Sequence, residues 1–551
     1  MSGVKNVLFN DDEMLAMVED LPSDNNENTD LEDDDEVDLL TIRSRIRARA
    51  QFNMDPNEAV LQDQLEDLPG EEILDNRPGC SHWKKNIRED EKHRQWKAKD
   101  SVSQIPEFSL PEGPVPGLFE SCVTTTDFFV SFLEGALDNI VYQSNLYAVQ
   151  KNKLLDLKKG ELLAFIGINF LMGYHKLPSW RHFWSESQDL GVSLVGKAMS
   201  RNRFDAILSN LHVNDNSCIP KDNKDRLFKL RPLIEYLNEK FGTAYHGRRQ
   251  LSVDESMILF KGRSSMKQYN PMKPVKRGYK LWCLADQYGY IKKISIYQGK
   301  DEKLENKYAT YGLGERVVLS LTEKEWGKEK IICFDNYFSS VKLLEKLKNE
   351  NTLACGTIRA NRRGNPTNLR DERKMKRGDF DYRSSTHGIS FYKWKDTKTV
   401  LLASNYHGNE LTTVARRDKS GVQHEVSCPT VVKDYNTYMG GVDHADQLRA
   451  AYGLDHRSKK WWHRLFWGII EICFVNFFIV HGQMNEKISL LEYKRCVTLG
   501  LLTQKDLPVD KRSLSRKSNN DEPAQCTKKR RGKGESVSKD VRLGNLAQRY
   551  F

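Results

Sequence analysis

The sequence predicts an α/β protein in which a mixed strand–helix unit sits between two helical segments. Two changes of pattern carry that expectation. Apolar residues recur at helical spacing up to about residue 245, and from 250 the apolar runs become short and strand-like. Charge changes along the chain as well. Residues 1–80 hold 22 Asp/Glu against 6 Lys/Arg, leaving 80 Lys/Arg against 54 Asp/Glu in the rest.

Residues 1–108 begin acidic, with DLEDDDEVD at 30–38 and little periodicity, and read as largely disordered. SLPEGPVPG leads into a helical segment, 109–249. There Phe128, Phe129, Phe132 and Leu133 follow a Thr-Thr-Asp cap at 125–127, and ELLAFIGINFLMGY reads as a buried helix. Phe204, Ile207 and Leu211 mark a third helix, and Leu230, Leu233, Leu237 and Phe241 a fourth.

The unit from 250 to 450 opens with LSVDESMILF, GYKLWCLAD and GYIKKISIYQG as strands, the last two joined by a tight Asp-Gln-Tyr-Gly turn. A helix near 315–325, the buried-type strand KIICFDNYF, the helix SSVKLLEKLKNE and the strand TLACGTIRA follow. Strands around FDYR, ISFYKW and TVLLAS read as a β-rich insertion, about 360–432, before a helix that begins near Asp443. The second helical segment, 451–504, contains LFWGIIEICFVNFFIV. At 16 residues, with Glu471 and Asn476 inside, it falls short of the roughly 20 apolar residues of a membrane span and reads as a buried helix. Residues 505–551 read as a basic, disordered tail.

Ten cysteines without any CxxC argue against a zinc ribbon or a secreted disulfide framework and fit a reducing compartment. MSGVKNVLFNDDE lacks the apolar core of a signal peptide, so no membrane partner is expected. A basic body with an acidic leader suggests a polyanion, with nucleic acid the first candidate and a basic but non-binding surface the alternative.

Four aspartates draw the chemistry together. Asp254 lies inside a strand, and Asp335 stands at the C-terminal end of another, where α/β sheets gather functional groups. Asp443 and Asp446 follow two glycines in MGGVDHADQL. They are either first-turn acids favoured by the helix dipole or an i, i+3 pair offered to a metal. Four carboxylates in one place would repel one another without Mg²⁺ or Mn²⁺, and a pair of such ions drives in-line phosphoryl displacement. Glu255 should point to the other face of its strand. Basic runs flank these acids. KGRSSMKQYNPMKPVKRGYK contributes Lys261, Arg263, Lys267, Lys273, Lys276 and Arg277, RANRRGNPTNLRDERKMKR contributes Arg362 and Arg363, and RSKKWWHR contributes Lys459, Lys460 and Trp461. They are either solvated loops or a groove for a phosphate backbone.

VDESMILFKGRSSMKQYNPMKPVKRGYKLW, FDNYFSS, YNTYMGGVDHADQLR and SKKWWHRLFW, in this order, resemble the piggyBac transposases and their domesticated derivatives, over roughly 118–482. That resemblance implies a ribonuclease-H-like DDE/D catalytic domain with an insertion, and a helical DNA-binding and dimerisation domain built from segments on both sides. It implies metal-dependent cleavage and strand transfer at TTAA sites on double-stranded DNA by a homodimer. Asp254, Asp335 and Asp443 match the catalytic aspartates, and Asp446 an additional metal-proximal carboxylate. Members commonly end in a Cys/His-rich zinc module, whereas residues 497–551 hold only Cys526. End recognition through other contacts, a truncated copy or a domesticated gene is then expected. Two further readings stand beside the transposase: a domesticated DNA-binding protein, and a scaffold recruiting partners through the acidic leader. KKRR at 528–531 and the DNA function together suggest a nuclear location.

Overall fold

The computed structural model describes residues 94–100, 105–271, 273–417, 422–454 and 460–503. The expectations for most of the acidic leader and for the basic tail lie outside the described residues.

A short strand, β1 (Trp96–Lys97), precedes five helices: α1 (Thr125–Gln150), α2 (Lys159–Tyr174), α3 (Ser193–Ala198), α4 (Arg201–Asn210) and α5 (Arg231–Thr243). The sheet begins with β2 (Gln250–Leu259), β3 (Lys267–Tyr269), β4 (Arg277–Asp286) and β5 (Ile291–Ile296). Next come α6 (Glu302–Lys307), α7 (Leu313–Thr322), β6 (Ile331–Phe334), α8 (Val341–Asn349) and β7 (Leu353–Thr357). The strands β8 (Phe380–Ser385), β9 (Ser390–Lys395) and β10 (Thr399–Ser404) lead to the ribbon β11 (Leu411–Arg417) and β12 (Gln423–Pro429). Four helices close the described chain: α9 (Thr430–Tyr438), α10 (Gly441–Ala451), α11 (Trp461–Met484) and α12 (Leu490–Leu502).

One mixed sheet runs β1-β8-β9-β10-β7-β6-β2-β4-β3, with β5 on β4 as well. Only β2, β6 and β7 are parallel to one another. The strands expected as a β-rich insertion extend the main sheet, because β10 pairs with β7. An unpaired β7 edge would have left its backbone groups without partners, and β10 supplies them. Trp96 and Lys97, within the stretch expected to be largely disordered, pair with Ser385 and Ser384 of β8. Two side chains fix that strand: Arg94 binds Glu345 with Nε 2.7 Å from Oε1, and the Trp96 indole donates to Gly364 O at 3.1 Å.

The helices have local causes. Thr124 caps α1, one residue before the expected cap; its hydroxyl accepts from Asp127 N (3.2 Å) while the Asp127 carboxylate accepts from Thr124 N (2.8 Å). α11 is the axis of the helical packing. Phe477 meets Phe132 of α1 edge-on at 4.4 Å, and Phe474 meets Phe170 of α2 at 5.2 Å. Among the described residues α11 alone has the length and hydropathy of a membrane span, but most of it is buried inside the protein.

Its polar residues explain themselves. Glu471 accepts from Leu454 N at 2.7 Å, with Lys494 Nζ at 3.9 Å. Asn476 accepts from Ile291 N (2.8 Å) and donates to Ile291 O (2.9 Å). Asn238 of α5 repeats the arrangement on Ile294, at 2.8 and 2.9 Å. β5 has a strand neighbour on one side only, so two asparagine side chains stand in for the missing strand.

Two predictions follow from these buried polar groups. Asn476→Leu leaves both Ile291 backbone groups unpaired, and urea unfolding should show a loss of about 2–4 kcal/mol. His463 is buried, and burial, with Lys460 and His212 nearby, pushes its pKa down to about 3. The folded value lies below the ordinary 6.5, so this contribution is complete above pH 6.5 and is lost as pH falls toward 3. The fall should be at most about 1.4 kcal/mol per pH unit, and unfolding of His463→Gln should be correspondingly less acid-sensitive.

Candidate active site

β2 and β6 run parallel with Val253 opposite Phe334, so the next residues, Asp254 and Asp335, follow on neighbouring strands. Asp335 stands just past the end of β6, where its carboxylate accepts from Tyr337 N at 2.9 Å and its carbonyl accepts from Ser339 Oγ at 2.8 Å. The strand thereby turns into α8.

Asp443 arrives from above on α10, and glycine makes that approach possible. A Cβ on Gly441 would run into the carbonyl of Asp286 and lie 2.8 Å from Ser252 Oγ. Gly289, at φ +87° in the β4–β5 turn, faces the helix from the other side, where a Cβ would come within 3.0 Å of Ala445 N. The helix therefore rests directly on sheet backbone, and its first turn reaches the acids of β2.

Lys273 joins the two elements. Its ammonium lies 3.3 Å from Asp254 Oδ2 and 3.1 Å from Asp443 Oδ1. Burial pushes the Asp254 carboxyl up to about 6; Lys273 opposes the shift, and Asp335 and Asp443 add to it. Burial also raises Asp335, with the Glu255 charge contributing. For Lys273 burial alone would lower the pKa, but the two carboxylates outweigh it and the net shift is upward.

The pair in MGGVDHADQL is divided. Asp443 is 57 % exposed and faces Lys273. Asp446 turns to Ser256 Oγ, which donates at 2.6 Å, and to Arg449 Nη2 at 2.9 Å. Arg449 is itself tied to Met257 O at 2.8 Å. Asp446, expected beside the metal, is here paired with Arg449. The buried guanidinium needs a counter-charge, and a carboxylate one helical turn away supplies it. Glu255 faces away from Asp254, toward Lys280 at 2.6 Å.

A hard divalent cation suits the donor chemistry of Asp254, Asp335 and Asp443: oxygen ligands from three elements, one of them desolvated and already sharing a cationic nitrogen. Among the described residues no three His, Cys, Asp or Glu side chains converge as a finished ligand group. The Lys273 ammonium completes the Asp254–Asp443 pair instead.

The basic residues divide by role. Lys261, Arg263, Lys276, Arg277 and Arg363 are exposed, and Arg277 lies 5.3 Å over the exposed Tyr269 ring. Lys267 donates to Gly262 O at 2.8 Å. Arg362 donates to Asn336 O (3.3 Å) and Tyr337 O (2.5 Å), bracing the loop behind Asp335. Lys460 donates to Ser209 O at 2.8 Å, and Trp461 is half-buried against the helical core. Lys459 lies outside the described residues. Two site residues carried no clear signal in the sequence: Lys273 as a partner of acids, and Lys280 as the partner of Glu255. The proline after Lys273, in a short connection between two strands, was the available hint that it sits at a stiff hairpin tip.

The family model described as Transposase IS4 matches residues 124–478. Human PiggyBac transposable element-derived protein 3 is 36% identical over 413 residues, which cover 73% of this chain and 69% of that protein. The chain belongs to the piggyBac transposase family. Human PiggyBac transposable element-derived protein 2 is 32% identical over 429 residues, 75% of this chain and 69% of its own length. The fold of this piggyBac-family chain is similar to that in the cryo-EM structure of a piggyBac transposase synaptic complex with hairpin DNA. The TM-score is 0.63 at 23% identity, over 80% of this chain and 92% of the other.

Asp443 and Asp446 can be told apart by stability alone. Asp446→Asn should cost about 3 kcal/mol by stranding Arg449, and Asp443→Asn less than about 1 kcal/mol, as read from denaturant midpoints. Equal losses would contradict the division of roles.

Proposed function

We propose that this piggyBac-family protein binds double-stranded DNA and cleaves and joins its strands at TTAA sites by cation-assisted phosphoryl transfer. The observation that carries the proposal is that Asp254 and Asp335 follow paired residues of two adjacent parallel strands, while the Lys273 ammonium joins Asp254 to Asp443 on the helix seated over them. Asp254, Asp335 and Asp443 would hold Mg²⁺ or Mn²⁺. When bound, one or two such ions supply a counter-charge for the acids, raise the nucleophilicity of an attacking oxygen and stabilise a leaving one.

The chain's own residues do the rest. Arg362 holds the loop that follows Asp335, so that carboxylate keeps its place at the strand end. Gly441 sets the depth of α10 and thereby the position of Asp443. The exposed Lys261, Arg263, Lys276, Arg277 and Arg363 surround the acids in sequence and would take the phosphate backbone, with a salt dependence that grows with each phosphate neutralised. Tyr269, exposed under Arg277, adds an aromatic face suited to a nucleobase. A homodimer on paired element ends and a nuclear location accompany this reading.

The test is a plasmid carrying the DNA that flanks the gene's own locus, incubated with purified protein and Mg²⁺ or Mn²⁺, with breaks mapped to the nucleotide. Breaks at TTAA junctions that vanish in Asp335→Ala, while that variant keeps its DNA affinity, are the expected outcome. Cleavage by Asp335→Ala at the wild-type rate would overturn the site. Binding without breaks in either protein would instead favour a domesticated DNA-binding protein.

A further inference from the structure

We propose that Lys273 is a tethered cation of the carboxylate site: its ammonium holds Asp254 and Asp443 together in the metal-free protein and is expelled when a divalent cation binds. The inference rests on the reading that these carboxylates take such a cation.

The placement of Lys273 is built rather than incidental. β3 and β4 form a hairpin in which Tyr269 pairs with Arg277, and Asn270 N donates to Lys276 O at 2.9 Å. Lys273 follows that closure, with Pro271 and Pro274 restricting the backbone on either side. At the hairpin base Arg277 covers the Tyr269 ring at 5.3 Å, and Asn270 Nδ2 reaches Glu255 at 3.4 Å. The loop is thereby anchored on the strand that carries Asp254. Among the described residues the Lys273 ammonium has no partner besides Asp254 and Asp443.

Charge supplies the reason. Asp254 is only 13 % exposed and has two further aspartates near it. Such a group is costly to keep ionised without a counter-charge, and Lys273 provides one. A divalent cation brings twice that charge to the same oxygens, and close by it an ammonium is repelled. Both cannot stay. Released, the ammonium remains on a short loop at the rim of the acids, where a DNA phosphate would meet it.

The competition has a definite size. If the ammonium occupies the carboxylates nine-tenths of the time, the apparent dissociation constant of the cation is about tenfold weaker than the intrinsic one. Lys273→Gln should therefore bind Mn²⁺ about tenfold more tightly than wild type by calorimetry on the full chain. Acetic anhydride labelling, read by mass spectrometry, follows the release in the unaltered protein. Labelling of Lys273 should rise about tenfold at saturating Mn²⁺, while the exposed Lys261 and Lys276 serve as references and stay level. Calorimetric binding with unchanged Lys273 labelling and equal affinity in Lys273→Gln would overturn the proposal and leave the cation site standing. Absence of Mn²⁺ binding in both proteins would overturn the cation site and this inference with it.

Discussion

One constraint places Asp443: the helix that carries it lies against bare sheet backbone. Gly441 has no side chain, and that allows α10 to touch the Asp286 carbonyl and the Ser252 hydroxyl. Gly289 removes the corresponding obstacle from the turn that faces Ala445. Any side chain at either position would lift the helix, and with it Asp443, from the strand that carries Asp254. The spacing of the acids is therefore set by what two residues lack. Asp286 completes the arrangement by holding its turn: its carboxylate accepts from Tyr288 N and Tyr290 N at 3.0 Å each, and Tyr245 donates to it at 2.8 Å.

Two aspartates on one helix then serve opposite ends. Asp446 is spent on Arg449, a guanidinium held inside the protein, and this pins α10 to β2 through Ser256 and Met257. Asp443 is left exposed and reaches outward. The buried pair holds the element while the exposed acid faces Lys273. Glu255 and Lys280 play a comparable holding part on the other face of β2, and the Lys280 ammonium lies 5.0 Å over the ring of Tyr337, beside Asp335.

Much of this was legible in the sequence. The helical periods before 245, the shift to strands at 250 and the burial of α11 follow from apolar spacing, which burial itself imposes. Asp254 and Asp335 stood out because a carboxylate in an apolar strand requires a reason. What spacing could not convey was partnership between residues far apart. Asp443 and Asp446 look equivalent on a helical wheel, and only Arg449 and Ser256 separate them. Lys273 is one of seven basic residues in its run, and its role depends on a hairpin that aims it back at the acids. β8–β10 read as a β-rich insertion, and nothing local in TVLLAS says that β10 will lie against β7.

The amide clamps on β5 carry a consequence for how the chain is made. Ile291 leaves the ribosome 185 residues before Asn476, which completes its backbone bonding. At ordinary synthesis rates that interval is about 10–40 s. Throughout it, part of the outer edge of β5 is an open template to which a neighbouring nascent chain could add a strand. Asn238 is synthesised before β5 and can guard Ile294 at once, so one clamp is present when β5 forms and the other only after α11 is made. The chain is thus most exposed to aggregation before α11 appears, and it becomes resistant to strand addition at this edge when that helix docks.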